Sequence, residues 1–583
     1  MKRSVYIIIF ISACMAGCQK HLNLVPLNNI TVPTYFKTED DIKEFVDGFY
    51  QYMVPNQGTP FFDACSDLNI INSGRTDISF GEFALGNFNP STGDVSYYWD
   101  FTPFRNAFIF FQHINDVTMS DASRHLYSGS VQYLLAYRYF MMLRAYENAP
   151  IIRDVLTIDK SDIPTSPKDS VFQEALKWAD SAVINLPSLS PAQRERGRLT
   201  KLVAMTLKAD LLLYTSTRFQ EGIPGATYQA AADAAQAAIN EADANGYGLA
   251  TNYLDPFIAS GQTSASAQKE IILENVRLKD IAPDAYGLSS YEFRPRYDGQ
   301  GVDFFLGTQE LVDMYECTDG KPINLSPLYD PAHPFNNRDP RLTFSILYPG
   351  NIASRVDGSP SWVSNTLDPS DANSDYMLET NNLRDRASSG YINIKYWDHE
   401  NDAQTAGYGS FVCYRYAELL LMYAEAQNEA AGPDATVYQA LSRVRARAGM
   451  PAVTAVTNPT QASVRDLVRN ERAVELVGEG KRYWDIRRWG IGEQVMNKDF
   501  YSMHISKFNP DGTFAAYQDK IYVRTSVTDP TAEAQFPIPN GANGGNFLIQ
   551  YVFNAPKYYV WPIPQTAIDQ STSGALKQNP LWQ

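Results

Sequence analysis

The sequence predicts a mainly α protein: a scaffold of tetratricopeptide-like helical hairpins carrying long, irregular, aromatic-rich loop regions. Three observations predict it. Seven segments, most of them rich in alanine or leucine, carry apolar residues at helical spacing. Consecutive segments are joined by short turns, with an Ala, Leu and Tyr texture like that of degenerate tetratricopeptide repeats. Between them lie two zones where Gly, Pro, Asn, Asp and aromatics replace the helical rhythm, at about 54–100 and 245–410.

Before the first helix, Lys2 and Arg3 precede the apolar run VYIIIFISA (5–13) and then Ala16-Gly17-Cys18. That order predicts a secretory signal over residues 1–17, too short to span a bilayer. Small residues before a cysteine are similar to a bacterial lipobox, so Cys18 is expected to carry the lipid anchor at the mature N-terminus. Residues 18–583 are then read as one domain.

The helices follow in order: DDIKEFVDGFYQYM (40–53), VQYLLAYRYFMMLRAYE (131–147), VFQEALKWADSAVINL (171–186), LTKLVAMTLKADLLLYT (199–215) and YQAAADAAQAAINEA (228–242). After the long irregular zone, which holds one short helix at TQELVDMYE (308–316), come YRYAELLLMYAEAQNEA (414–430) and TVYQALSRVRARAG (436–449).

Composition removes several function classes. A formal net charge of −16 argues against nucleic acid or anionic lipid as the main partner. Cys65, Cys317 and Cys413 are odd in number and far apart, so no disulfide framework is expected. No two of the six histidines have metal-ligand spacing on a helix, and HExxH, paired CxxC, P-loop and GxSxG motifs are missing. DANSD (371–375) begins like a calcium loop, but Tyr376 stands where glycine is needed and Asn382 where a bidentate glutamate is needed. It reads as a solvated loop, and neither a metal nor a cofactor is expected.

VRNERAVELVGEGKRYWDIRRWG (468–490) sets Glu471, Glu475 and Glu479 four residues apart, in a row along one helix face. Paired carboxylates make a glycosidase only across a cleft, which a row on one helix rarely provides. These acids are read as scaffold, neutralised by the interleaved Arg469, Arg472 and Arg482 and by Arg443, Arg445 and Arg447 of the preceding hairpin.

The same run resembles the C-terminal hallmark of the SusD/RagB outer-membrane lipoproteins. NLVPLNNITVPTYFKTEDDIKEFVDGFY, LLAYRYFMMLRAYENAPII, GRLTKLVAMTLKADLLLY, YRYAELLLMYAEAQNE with VRARAGMP, and YYVWPIPQTAID with KQNPLW are also similar to that family, in the right order over nearly the whole chain. The resemblance implies four tetratricopeptide-like helix pairs with a loop-rich remainder. It further implies a non-enzymatic, surface-exposed lipoprotein of the outer membrane. Such a protein binds a nutrient, an oligosaccharide or sometimes a peptide, and delivers it to a SusC-like TonB-dependent transporter as its lid.

Sugar binders stack aromatic rings on C–H faces and fork hydrogen bonds to hydroxyls. The family's ligand sites tend to lie near residues 65–80 and ahead of TQELVDMY, inside the two irregular zones. From them Asp67, Asn72, Arg75, Tyr291, Phe293, Tyr297 and Trp362 are the expected ligand contacts, chosen by chemistry and expected exposure. A surface glycoside hydrolase using loop carboxylates, and a purely structural surface protein, are the rival readings.

Overall fold

A computed structural model of the protein describes residues 35–53, 60–71, 81–84, 86–157, 160, 162–219, 222–278, 305–354, 360–364, 389–398, 408–503, 505–508, 514–518, 520–524, 526, 528–529, 531–537 and 547–583. Its frame is a succession of helices packed one on the next. α1 (Glu39–Asp47) and α2 (Thr102–His113) lean on α3 (Asp121–Tyr146). α4 (Lys168–Asn185), α5 (Lys201–Arg218), α6 (Tyr228–Ala244), α7 (Tyr416–Ala431) and α8 (Ala435–Arg447) follow, each packed on the one before it. α9 (Gln461–Glu475) closes against α7, and α10 (Arg482–Trp489) crosses back onto α5.

Local chemistry explains these elements. Ser120, Thr227, Asp434 and Thr460 cap α3, α6, α8 and α9 by accepting backbone N–H bonds from the first turn. α6 presents Ala231, Ala232, Ala235, Ala238 and Ala242 to its neighbours, short side chains that let α5 and α7 approach from both sides. At Gly129 of α3 even a β-carbon would lie 2.9 Å from Leu186, so the missing side chain lets α4 end against α3. Observed helices match the expected ones within a few residues, except that α3 starts ten residues earlier than the apolar run, at Asp121. Gly48 also splits 40–53 into α1 and a turn at Tyr50–Met53.

Both zones expected to be irregular contain structure that the sequence reading missed. Residues 62–71 are buried throughout, and β1 (Asn69–Ile71) pairs with β3 (Phe305–Gly307) in an antiparallel sheet of order β1-β3-β7-β4. β4 is Ile346–Leu347 and β7 is Ile392–Asn393; β2 (Ile271–Asn275) pairs separately with β8 (Phe411–Arg415), which runs straight into α7. β5 (Ile352–Ser354) pairs with β6 (Pro360–Val363). The C-terminal region adds ribbons from β9 (Asp499–Tyr501), β10 (Ile505–Phe508), β11 (Phe514–Gln518), β12 (Lys520–Arg524), β13 (Glu533–Pro537) and β14 (Phe547–Gln550).

Aromatic rings of the tail join the halves. Trp561 is fully buried, donates from Nε1 to the Tyr483 hydroxyl at 2.8 Å and packs on Phe62, Phe83, Tyr98 and Trp484. Trp99 is half-buried rather than enclosed, touching Tyr146 and Phe101 at the rim of a cleft of about 730 Å³. Cys65, Cys317 and Cys413 are buried free thiols. Among the described residues no helix is long and apolar enough to cross a membrane.

Candidate ligand-binding pocket and the buried charge network

The three glutamates of the hallmark run do not share one helix. α9 ends at Glu475, and Gly478 and Gly480 take φ of 78° and 72°, the left-handed conformation that glycine adopts without strain. Glu479 therefore sits in the turn before α10. All three acids are buried, at 0%, 0% and 1% exposure, which places them outside any solvent cleft.

Their partners come mainly from elsewhere in the chain. Arg415, at the β8–α7 junction, donates to Glu270 at 2.9 Å, to Glu475 at 2.6 Å and through two nitrogens to Glu479 at 2.7 and 2.9 Å. Arg341 reaches Glu475 at 2.8 Å and Asp339 at 2.7 Å, and also binds Glu471. Arg445 bridges Glu471 and Glu316, Arg447 bridges Glu270 and Glu475, and the Lys395 ammonium meets Glu479 at 2.6 Å. Burial opposes ionisation of Glu475, but the guanidiniums of Arg447, Arg415 and Arg341 outweigh it and hold the carboxyl well below its usual range. Lys395 is pushed down to about 8 by burial, against the pull of Glu479.

This is scaffold chemistry, with a corrected partner list. Arg445 and Arg447 serve as expected. Arg443 instead lies near Asp243 at the surface. Arg472 forks onto Asp485 at 2.9 and 3.0 Å, and Arg482 forks onto Asp67 at 2.8 Å through both nitrogens.

Asp67 was expected to face a ligand. It is 4% exposed and committed to Arg482, because the apolar run around it (Phe62, Ala64, Leu68, Ile70) carries the segment into the core. Asn72, Arg75, Tyr291, Phe293, Tyr297 and Cys18 lie outside the described residues, as does the DANSD segment. Trp362 is placed only by its strand, opposite Ala353 in the β5–β6 ribbon.

That ribbon begins at the edge of a pocket the sequence reading did not single out. The cavity, about 240 Å³, is bounded by the loop around His333, Phe335 and Asn336, the turn from Tyr348 to Ile352, and the β12–β13 ribbon with Tyr522, Arg524 and Glu533. Arg338 pins the first loop by donating to the carbonyls of Tyr315 and Pro334 at 2.8 to 3.1 Å. Phe335 stacks on Tyr348 with centroids 4.1 Å apart, forming an apolar floor.

Above the floor the walls are polar. His333 bonds Asp330 through Nδ1 at 2.8 Å and Glu533 through Nε2 at 3.2 Å, and its ring stacks on Tyr522. The bond to Asp330 raises the imidazole pKa, partly countered by burial and aided by Glu533. Tyr522 is 41% exposed, an uncommon state for so large a ring. Asn351 is 2% exposed and donates to the carbonyls of Thr343 and Ile346 at 3.1 and 3.0 Å, while its buried Oδ1 has no partner among the described residues. Asn336, on the opposite loop, is exposed and offers its amide to the cavity. One signal could have found this wall: in KIYVR (520–524) the period of two places Lys520, Tyr522 and Arg524 on one strand face.

Comparison with known proteins locates the chain. The model of the SusD family matches residues 269–582, more than half of the chain. A SusD-like protein of Formosa agariphila is 22% identical over 527 residues, covering 84% of this chain and 90% of that protein. Among solved structures, a SusD-like carbohydrate-binding protein from Bacteroides fragilis superposes with a TM-score of 0.73 at 22% identity, covering 94% of this chain and 100% of that one. A laminarin-binding SusD-like protein superposes with a TM-score of 0.63 at 19% identity over 94% of this chain and 100% of its own.

Proposed function

This chain belongs to the SusD family, and on that premise we propose that it is a cell-surface lipoprotein that binds an oligosaccharide and delivers it to a SusC-like TonB-dependent transporter, closing over it as a lid. The observation that carries the reading is the pocket at Tyr522, where an exposed ring stands beside Asn336, Asn351, Arg524 and Glu533. A sugar offers a flat C–H face ringed by hydroxyls, so its receptor needs a stacking surface and forked donors and acceptors together. In this reading Tyr522 and His333 supply the surface, the exposed amide of Asn336 pairs with a hydroxyl, and Arg524 and Glu533 donate and accept at the rim. Asn72, Arg75, Tyr291, Phe293, Tyr297 and Trp362, chosen from the sequence, remain the further contacts this reading expects.

Acylation at Cys18 would hold the body at the outer membrane, and a lipid-anchored binder needs a separate barrel to move its cargo. That one structural relative binds carbohydrate and another binds laminarin favours a glycan over a peptide. The hydrolase reading gains nothing from this pocket. Among the described residues its lining has a single carboxylate, Glu533, already bonded to His333, where glycoside hydrolysis calls for two facing across the bond.

The test uses the full-length lipoprotein in detergent. Titration against an oligosaccharide panel should give saturable binding without release of shorter sugars, and affinity pull-down from solubilised outer membrane should recover a TonB-dependent barrel. Flat titrations across the panel would sink the glycan assignment. Absence of any barrel from pull-downs of folded protein would sink the lid.

A further inference from the structure

A second cavity lies on the helical side, away from the elements that form the Tyr522 pocket. It holds about 290 Å³ between the end of α5 (Thr217), the start of α6 (Tyr228), α7 (Glu425, Glu429), α9 (Arg465, Arg469) and the last residue of α10, Trp489. Its charges can be matched one by one. Glu429 takes both nitrogens of Arg465, at 2.5 and 2.7 Å. Glu425 is held by Arg488 through two nitrogens and accepts from Trp489 Nε1 at 2.7 Å. Asp485, behind it, is shared by Arg472 and Arg488.

Arg469 is left over. Among the described residues no carboxylate pairs with it, and its Nε is buried without a hydrogen-bond partner. The guanidinium lies 4.9 Å over the Trp489 ring, which fixes its plane against one wall. Burial lowers its pKa, while the longer-range pull of Glu425 and Glu429 is opposed by repulsion from Arg488 and Arg465. A guanidinium costs free energy when partly desolvated with no counter-charge. Here the missing counter-charge and an adjacent polar cavity occur together.

We infer that this cavity is a carboxylate-binding site: the Arg469 fork takes the carboxylate, with Trp489 and Tyr228 flanking the body of the ligand. Guanidinium nitrogens match the two oxygens of a carboxylate in bidentate geometry, and a neutral sugar would leave the surplus charge uncompensated. The group can come from an acidic sugar or from an acidic amino-acid side chain. The site shares no residue with the Tyr522 pocket, so either can fail alone.

The experiment titrates the full-length protein with sodium glucuronate, with glutamate blocked at both ends, and with glucose, following heat. Saturable binding of either acid but not of glucose is expected. Glucuronate alone would identify the sugar as the source, and glutamate alone the peptide side chain. Arg469→Gln should weaken the binding at least about tenfold, the scale of one lost charge-assisted fork. Glu429→Gln, which frees Arg465 from its carboxylate, should strengthen it. No binding of either acid, an unchanged affinity in Arg469→Gln, or an unchanged or weaker affinity in Glu429→Gln would overturn the inference.

Discussion

Around Arg415 the charges are matched inside the protein, whereas around Tyr522 polar groups and rings face a cavity. Arg415 is fully buried and meets Glu270, Glu475 and Glu479. Tyr522 and Asn336 are exposed beside that cavity. Both regions are rich in residue types that catalysis and recognition use. What separates them is satisfaction: a carboxylate whose lone pairs are taken by guanidiniums has nothing left for a substrate, while an exposed amide or ring at a cavity has.

The largest effect should come from breaking the matched region. Glu475→Gln leaves Arg341, Arg415 and Arg447 short of one negative charge in a fully buried site. A loss of about 3–5 kcal/mol of stability is expected from such a break. Denaturant titration should record it, with unchanged oligosaccharide affinity per folded molecule. Intact stability with abolished binding would turn the comparison around.

A second break is titrational and uses Asp63, which accepts backbone N–H bonds from the glycine turn before α10. Burial dominates those bonds and raises its pKa to about 7. The folded state thus keeps a proton that the unfolded chain has released. Its stabilising contribution is present below the unfolded value of 3.8 and is lost as pH rises toward about 7. Asp485 has the opposite sign: burial would raise it, but Arg472 and Arg488 hold it at about 2, so its contribution is lost only as pH falls toward that value. Asp63→Asn should flatten the stability profile between about pH 5 and pH 7 and leave the acid limb in place. Melting curves across that range check it; an unaltered slope would contradict the assignment.

The smallest effect sharpens the exposed side. Tyr522→Ala removes one stacking face, for which roughly 0.5–1.5 kcal/mol is expected. That corresponds to an oligosaccharide affinity weaker by about two- to tenfold, with the melting temperature unchanged. A lower melting temperature with full affinity would make Tyr522 another structural ring.

How legible these regions were in the sequence follows from the distance over which each is built. α5, α6, α7 and α8 were readable because apolar spacing, alanine content and capping residues act within a few turns. Arg445 and Arg447 were anticipated as partners of the acids because they lie in the adjacent hairpin. Arg341 was not: it meets Glu471 across 130 residues, and nothing local in PRLTFS announces that it will be buried. Asp67 was misplaced for the same reason, since its polar character is local but its enclosure by the sheet and by Arg482 is not.

The sequence by itself thus determined the helical scaffold, the family and the non-catalytic character expected of the hallmark glutamates, all of which depend on periodicity or on a run of contiguous residues. Only the tertiary structure decided that the helix ends at Glu475 and leaves Glu479 in a glycine turn, which cations neutralise the acids, and that His333, Asn351 and Tyr522 share one cavity while Arg469 is left unmatched in another. The physical reason is that burial and charge pairing are properties of the assembled core. They bring together segments that no window along the chain contains.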